Sequence, residues 1–290
     1  MGAAGDTAAT SHLIRSIARV DLRVQDVDRA LAFYRDLVGL EVSAHDTTTA
    51  TFIGAEAREL LHLDASGVEA PARRDATGLF HTAFRYPDRA SLGKALGRLV
   101  ERGMEVGAGD HGVSEALYVD DPDGNGVELY WDRPREVWPA PAPGQRVGMY
   151  SAPVDLRSVL EEGRTPGDAA PPLIGHVHLQ VRDIPETLRF YVDRLGLDLM
   201  ATMGDSAAFL SSFGYHHHVG ANVWNSRGRQ AAPRTHAGLD CVVLEVPSED
   251  ELEGARARLR AADAAVDRED DELVVSDPNG IELRLKELAA

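Results

Sequence analysis

The stretch IARVDLRVQDVDRALAFYRDLVGLEV (Ile17–Val42) is answered later in the chain by IGHVHLQVRDIPETLRFYVDRLGLDL (Ile174–Leu199). The two align without a gap and keep their Phe-Tyr pairs in register (Phe33-Tyr34, Phe190-Tyr191). Each copy begins with the alternation of a half-buried strand and then passes into helical spacing. A second pair follows: GLFHTAFRYPD (Gly78–Asp88) matches GLDCVVLEVPS (Gly238–Ser248). Each of these precedes a helical stretch, Arg89–Arg102 and Glu249–Asp263. Each half then closes on an Asp-Pro turn and a strand, DPDGNGVELYW from Asp121 and DPNGIELRL from Asp277. The chain is therefore an internal duplication. Each half holds two modules of strand, helix and further strands, four in all, with Pro and Gly supplying the turns.

The remaining composition frames this repeat. A length of 290 residues suits two domains, and an apolar fraction of 43% is enough for packed cores. No apolar run is long enough to predict a membrane span. Residues 1–12 are rich in Ala, Gly and Thr and lack the basic start and apolar core of a signal peptide, so a disordered tail is expected there. The expected domains are residues 13–132 and 173–290. Residues 133–172 hold eight of the fifteen prolines and read as an ordered or semi-rigid linker wrapped on the surface. A net charge of −17 disfavours nucleic acid and anionic membranes as partners. The single cysteine, Cys241, excludes an internal disulfide and fits a reducing cytoplasm. Homo-oligomer formation is left open.

The segment GDHGVSEALYVDDPDGNGVE (Gly109–Glu128) resembles the extradiol ring-cleavage signature at Gly109, His111, Leu117-Tyr118, Asp121-Pro122, Gly124 and Glu128. Over about residues 14–286 the chain resembles the vicinal oxygen chelate superfamily, which includes glyoxalases, bleomycin-resistance proteins and extradiol dioxygenases. That resemblance implies an α+β fold of four βαβββ modules in two tandem domains. Fold alone does not choose among those functions, but the signature does. It implies an iron(II)-dependent extradiol dioxygenase that opens a catechol-type ring with O2, as the two-domain catechol 2,3-dioxygenases do. Two other readings stand beside it: a different metal enzyme of the superfamily (a glyoxalase-type isomerase or thiol transferase), and a metal-free drug-binding protein.

The resemblance also implies roles for single residues. Glu128 corresponds to an iron ligand, with His111 and Tyr118 facing the substrate. Non-haem iron(II) oxygenases bind the metal through two histidines and one carboxylate on one face, a set that manganese(II) also accepts. His81 matches the superfamily's GL-x-H strand, and His176 stands where its first ligand stands, with His178 as neighbour. In YHHHVGANVW (Tyr215–Trp224), strand-like alternation sends His217 to one face and His216 and His218 to the other. His217 is the expected acid–base histidine, because an imidazole titrates near neutral pH. His62 holds the equivalent first-half position and is expected to be structural. The Asp-rich turn Asp120–Asp123 is expected to be solvated.

Neither half carries a full ligand set. Arg19 stands where the first half needs its first histidine, and Cys241 where the second half needs its middle one. The second module keeps His81, His111, Tyr118 and Glu128, while the third keeps His176 and the His tract. The sequence therefore predicts one composite site built from His81, Glu128 and His176, formed within a chain or between chains.

Overall fold

The four predicted modules each form a strand, a helix and three more strands. The computed structural model describes residues 10–288. The first module is β1 (Ser16–Arg23), α1 (Val27–Phe33), β2 (Glu41–His45), β3 (Thr49–Ile53) and β4 (Glu59–Asp64). The second is β5 (Gly78–Tyr86), α2 (Arg89–Glu101), β6 (Gly107–Asp110), β7 (Ser114–Asp120) and β8 (Gly126–Asp132). After α3 (Leu156–Gly163) come β9 (Leu173–Gln180), α4 (Ile184–Leu188), β10 (Asp198–Met203), β11 (Ala207–Ser211) and β12 (Val219–Asn222). The fourth module is β13 (Gly238–Val246), α5 (Glu249–Ala261), β14 (Val266–Glu269), β15 (Glu272–Ser276) and β16 (Glu282–Glu287).

The modules pair across the halves. One eight-stranded sheet joins the first and fourth modules through antiparallel β1 and β13. The other joins the second and third through antiparallel β5 and β9. Each sheet thus takes one module from each half, and the fold reunites the two modules whose residues suggested a shared site.

The helical segments lie between the sheets. α1 and α4 each start at an Asp cap, Asp26 and Asp183, whose side chain accepts from a backbone N–H in the first turn. Each then widens into a π-helical turn, residues 34–38 and 189–195, closed by a glycine at positive φ, Gly39 and Gly196. The widened turns aim the repeated Tyr inward. Tyr34 is fully buried, touches Phe52 of one sheet and Phe84 of the other, and donates to Asp121 at 3.1 Å. Tyr191 does the same to Asp277 at 3.3 Å. Among the described residues no helix is long and apolar enough to cross a membrane.

Several expectations need correction. Most of the expected tail lies outside the described residues, but Ser11 is tied down: its N–H donates to Asp198 at 2.7 Å and its carbonyl accepts from Phe213 N–H. Of the acids in the turn Asp120–Asp123, only Asp120 is exposed. The Asp121 carboxylate is buried and accepts the N–H groups of Asp123 and Asn125 at 2.8 Å each. Its turn needs a backbone of mixed handedness with many inward N–H groups, and a short acidic side chain satisfies them. Residues 133–172 run mostly exposed over the surface and also make specific contacts. α3 packs on α2 where Gly93 and Gly163 meet so closely that a Cβ on either would strike backbone. Residues 139–151 bridge the second and third modules. Arg146 and Val147 N–H both donate to Met200 O, and Asp110 and Ala152 exchange backbone bonds at 2.8 and 2.9 Å.

Candidate active site

Three adjacent strands deliver the three expected ligands to one face of a sheet. In the order β8-β5-β9, Ala83 of β5 stands opposite Glu128 on one side and His176 on the other. Its single methyl leaves room for both larger side chains to lean over it. His81 lies two residues earlier on the same face of β5. Close backbone approach sets this register: a Cβ on Gly126 would sit 1.9 Å from Phe80 O, and one on Gly175 would collide with the Tyr130 hydroxyl. All three expected ligands come from one chain, so no second copy is needed to bring them together.

His81 Nε2 lies 2.8 Å from Glu128 Oε2, His176 Nε2 lies 3.1 Å from the same oxygen, and the two nitrogens are 3.4 Å apart. All three side chains are buried. Neighbouring ligands held at right angles by bonds of roughly 2.0–2.2 Å sit about 3 Å apart, so the observed triangle has the edge lengths of one face of a coordination shell. The donors are two imidazoles and one carboxylate with no thiolate, which suits a divalent first-row metal such as iron or manganese. Burial opposes charge on Glu128, but His176 and His81 beside it outweigh that and hold its carboxyl well below the usual range. Burial pushes His176 down to about 4, against the pull of Glu128, and it also pushes His178 well below the usual imidazole value, helped by His81 and His176. Nδ1 of His176 and Nε2 of His178 are buried with no hydrogen-bond partner among the described residues.

His81 and Glu128 of the triad line one end of a cavity of about 720 Å³. His111, Tyr118, His178 and His217 surround the triad, and Phe80, Phe209 and Trp224 add aromatic walls. Tyr118 OH is 2.7 Å from His111 Nε2, and His111 Nδ1 is 3.2 Å from Tyr150 O. Burial and the nearby Glu128 charge raise the Tyr118 hydroxyl well above its usual value, so it stays protonated.

The His tract sorts as expected, but for a different reason. Residues 215–218 form a loop, and the strand begins only at Val219. His217 alone of the three lines the cavity, its ring 4.1 Å from that of His176. His216 turns away to Asp132, and His218 to Ser211 at 2.8 Å. Sequence reasoning missed what holds His217 in place. Its Nδ1 is 2.8 Å from His216 Nδ1, and His216 Nε2 is 2.8 Å from Asp132 Oδ1. Asp132 accepts from Tyr215 OH at 2.8 Å, and Tyr215 meets Tyr130 OH at 2.8 Å. In a neutral His216 an Asp acceptor on Nε2 puts the single proton there, so His216 Nδ1 accepts and His217 Nδ1 donates. His217 Nε2 is then left with a lone pair. Asp132 ends the VELYWD run four residues after Glu128, but only the folded contact gives it this role.

The equivalent place in the other sheet is filled. Arg19 makes a two-pronged contact with Asp21 at 2.6 and 3.1 Å, and Cys241 Sγ lies 3.2 Å from the same carboxylate. His62 is 3.1 Å from Thr51 Oγ1, remote from the triad.

The family model for the glyoxalase/bleomycin resistance protein/dioxygenase superfamily matches residues 16–129 and 173–285. The chain is 39% identical over 268 residues to catechol-2,3-dioxygenase of Bacillus subtilis (strain 168), covering 90% of this chain and 93% of that one. It is 32% identical over 120 residues to biphenyl-2,3-diol 1,2-dioxygenase 3 of Rhodococcus globerulus, covering 40% of this chain and 63% of that one. In fold it is similar to glyoxalase I from Zea mays, with a TM-score of 0.57 at 16% identity over 94% of this chain and 92% of that one.

Proposed function

The chain belongs to the glyoxalase/bleomycin resistance/dioxygenase superfamily, and from that premise we propose that it is an iron(II)-dependent extradiol dioxygenase acting on a catechol or substituted catechol with O2. The observation that carries the reading is the buried His81–Glu128–His176 triangle at the end of a cavity that also holds a His–Tyr pair and a tautomer-fixed histidine. The likeness to a catechol-2,3-dioxygenase over most of both chains supports it.

His81, His176 and Glu128 would hold the metal. Iron(II) bound there supplies a path for electrons from a chelated catecholate to O2, and manganese(II) is accepted by the same donors. Glu128, ionised, offsets one positive charge of the ion. His217 Nε2 accepts a catechol hydroxyl proton and later returns it to the opening ring. The Tyr118 hydroxyl, braced by His111, donates to an oxygen of the reacting substrate. The aromatic walls keep bulk water from the reacting atoms.

The test is anaerobic loading with iron(II), followed by oxygenated buffer and a panel of catechols, watching for the yellow ring-opened product. Turnover that survives complete chelation at full rate refutes the metal assignment. An iron-loaded protein that leaves every catechol intact refutes the reaction.

A further inference from the structure

The end of the cavity away from the triad is built by the segment that joins the two halves. Residues 139–151 cross its mouth as a strap. One end of the strap is pinned by Tyr150 N–H to His111 O at 3.3 Å and by the Asp110–Ala152 pair. Its middle is pinned by the Arg146 and Val147 N–H groups to Met200 O and by an Arg146–Asp198 ion pair at 2.9 Å. Pro139, Ala140, Ala142, Val147 and Met149 give this wall its apolar surface, and Ala201 and Met203 of β10, the strand to which the strap is bonded, extend it. Val147 belongs to a small buried cluster with Val113 and Met200 that fixes the wall in place.

Among the described residues no Lys or Arg lines the cavity. Arg133, just before the strap, is engaged with Asp110 and Glu115, and Arg146, within it, with Asp198. The strap's one amide side chain, Gln145, is spent on Thr202, donating to its hydroxyl at 3.3 Å and accepting from its N–H at 2.8 Å. A carboxylate placed at this end would lose water without gaining a cation, which is costly. The cavity, about 720 Å³, falls within the roughly 300–1,000 Å³ range that takes drug-sized ligands, so an unsubstituted catechol leaves much of it unfilled. The apolar lining also runs outward to the rim, where Tyr150, Met203 and Trp224 are among the large apolar side chains left half-exposed.

Resting on the catechol reading above, we infer that the strap makes this site selective for catechols bearing an uncharged, extended apolar substituent, and that it rejects those bearing a carboxylate. The dihydroxylated edge of the ring lies toward the triad, and the substituent lies against the apolar wall that the strap and β10 form together.

The experiment uses the iron-loaded full chain with three kinds of probe. The first is a series of 4-alkylcatechols of growing chain length. The others are 3,4-dihydroxyphenylacetate and its methyl ester, which differ in charge at nearly constant shape. Anaerobic thermal-shift titration reads binding, and oxygenated assays read kcat/KM. Across the alkyl series kcat/KM should rise roughly fourfold per buried methylene until the cavity is filled. The methyl ester should bind and turn over at least about tenfold better than the acid, the effect of losing one unpaired buried charge. Met149→Arg should shift the acid-to-ester ratio toward the acid by at least about tenfold, because it sets a cation in the wall. Equal binding and turnover of acid and ester, or a decline along the alkyl series, overturns the inference while ring cleavage stands. If the ester binds and the acid does not, yet no catechol is cleaved, the proposed reaction falls and the selectivity remains.

Discussion

Asp132→Ala should cripple the proposed acid–base histidine without touching substrate or metal. Asp132 reaches His217 only through His216, by two contacts of 2.8 Å each. With the carboxylate gone, His216 is free to carry its proton on Nδ1. His217 Nδ1 must then accept, which moves its own proton to Nε2, where the base should be. A hydrogen bond to a charged partner is worth about 1.5–3 kcal/mol. At 1.4 kcal/mol per factor of ten, losing it cuts the productive tautomer by about 10- to 100-fold, and kcat should fall by that factor. The loss cannot exceed that of His217→Ala, for which general acid–base catalysis suggests about 10²- to 10⁴-fold. KM and iron content should change little. The deciding assay is a double-mutant cycle: in a His217→Ala background, Asp132→Ala should cost nothing further in kcat. Additive losses refute the reasoning, since a residue that merely supports the fold lowers both backgrounds alike. A tautomer measurement on ring-labelled histidine, with the His217 signal assigned by its loss in His217→Ala, reads the same switch without turnover.

Three further outcomes follow from the geometry. Alanine at His81, Glu128 or His176 should each abolish iron binding, whereas Arg19→Ala, Cys241→Ala and Glu282→Ala should retain it; metal analysis after gel filtration decides, and loss in the second set contradicts the one-site account. Tyr118→Phe should keep the metal and lower kcat, and an unchanged kcat would mean that its hydroxyl serves only His111. The metal-free protein should weaken as the pH falls below about 6.5. Burial lowers His218 from 6.5 to about 3, and His178 and His217 shift the same way. A histidine depressed in the fold contributes stability that is present above its unfolded value and lost as the pH falls toward the folded one. At pH 5 His218 alone accounts for about 2 kcal/mol of that loss. A urea midpoint unchanged between pH 7.5 and 5 would rule out these rings being neutral and buried.

The repeat was legible because duplicated modules must bury the same faces, so apolar spacing and turn residues recur at matching positions. The triad was legible because its residues carry a motif, and the complementary losses at Arg19 and Cys241 pointed to modules rather than halves. Three features were hidden for physical reasons. Residues 139–151 have no periodicity to betray that their Pro, Ala and Met side chains wall a cavity. Asp132, Tyr130 and Tyr215 acquire their roles only from contacts between residues more than eighty positions apart. Asp121 reads as a solvated acid because acids in turns usually are, and its burial follows from the N–H groups that the turn directs inward and from the hydroxyl of Tyr34.

The crossed pairing of modules has a consequence for how the chain holds together. β5 and β9 share hydrogen bonds along most of their length, and so do β1 and β13. Neither half therefore owns a complete sheet, and each half alone would expose two unpaired strand edges of the kind that drives aggregation. The halves should denature in a single cooperative transition rather than as two independent units. A protease cut at the strap tip near Gly144 should leave two fragments that remain clasped and migrate together until denatured. An ion held between His81 and Glu128 on one fragment and His176 on the other would act as a rivet across that seam. Its removal should then loosen the association of the halves as well as silence the chemistry.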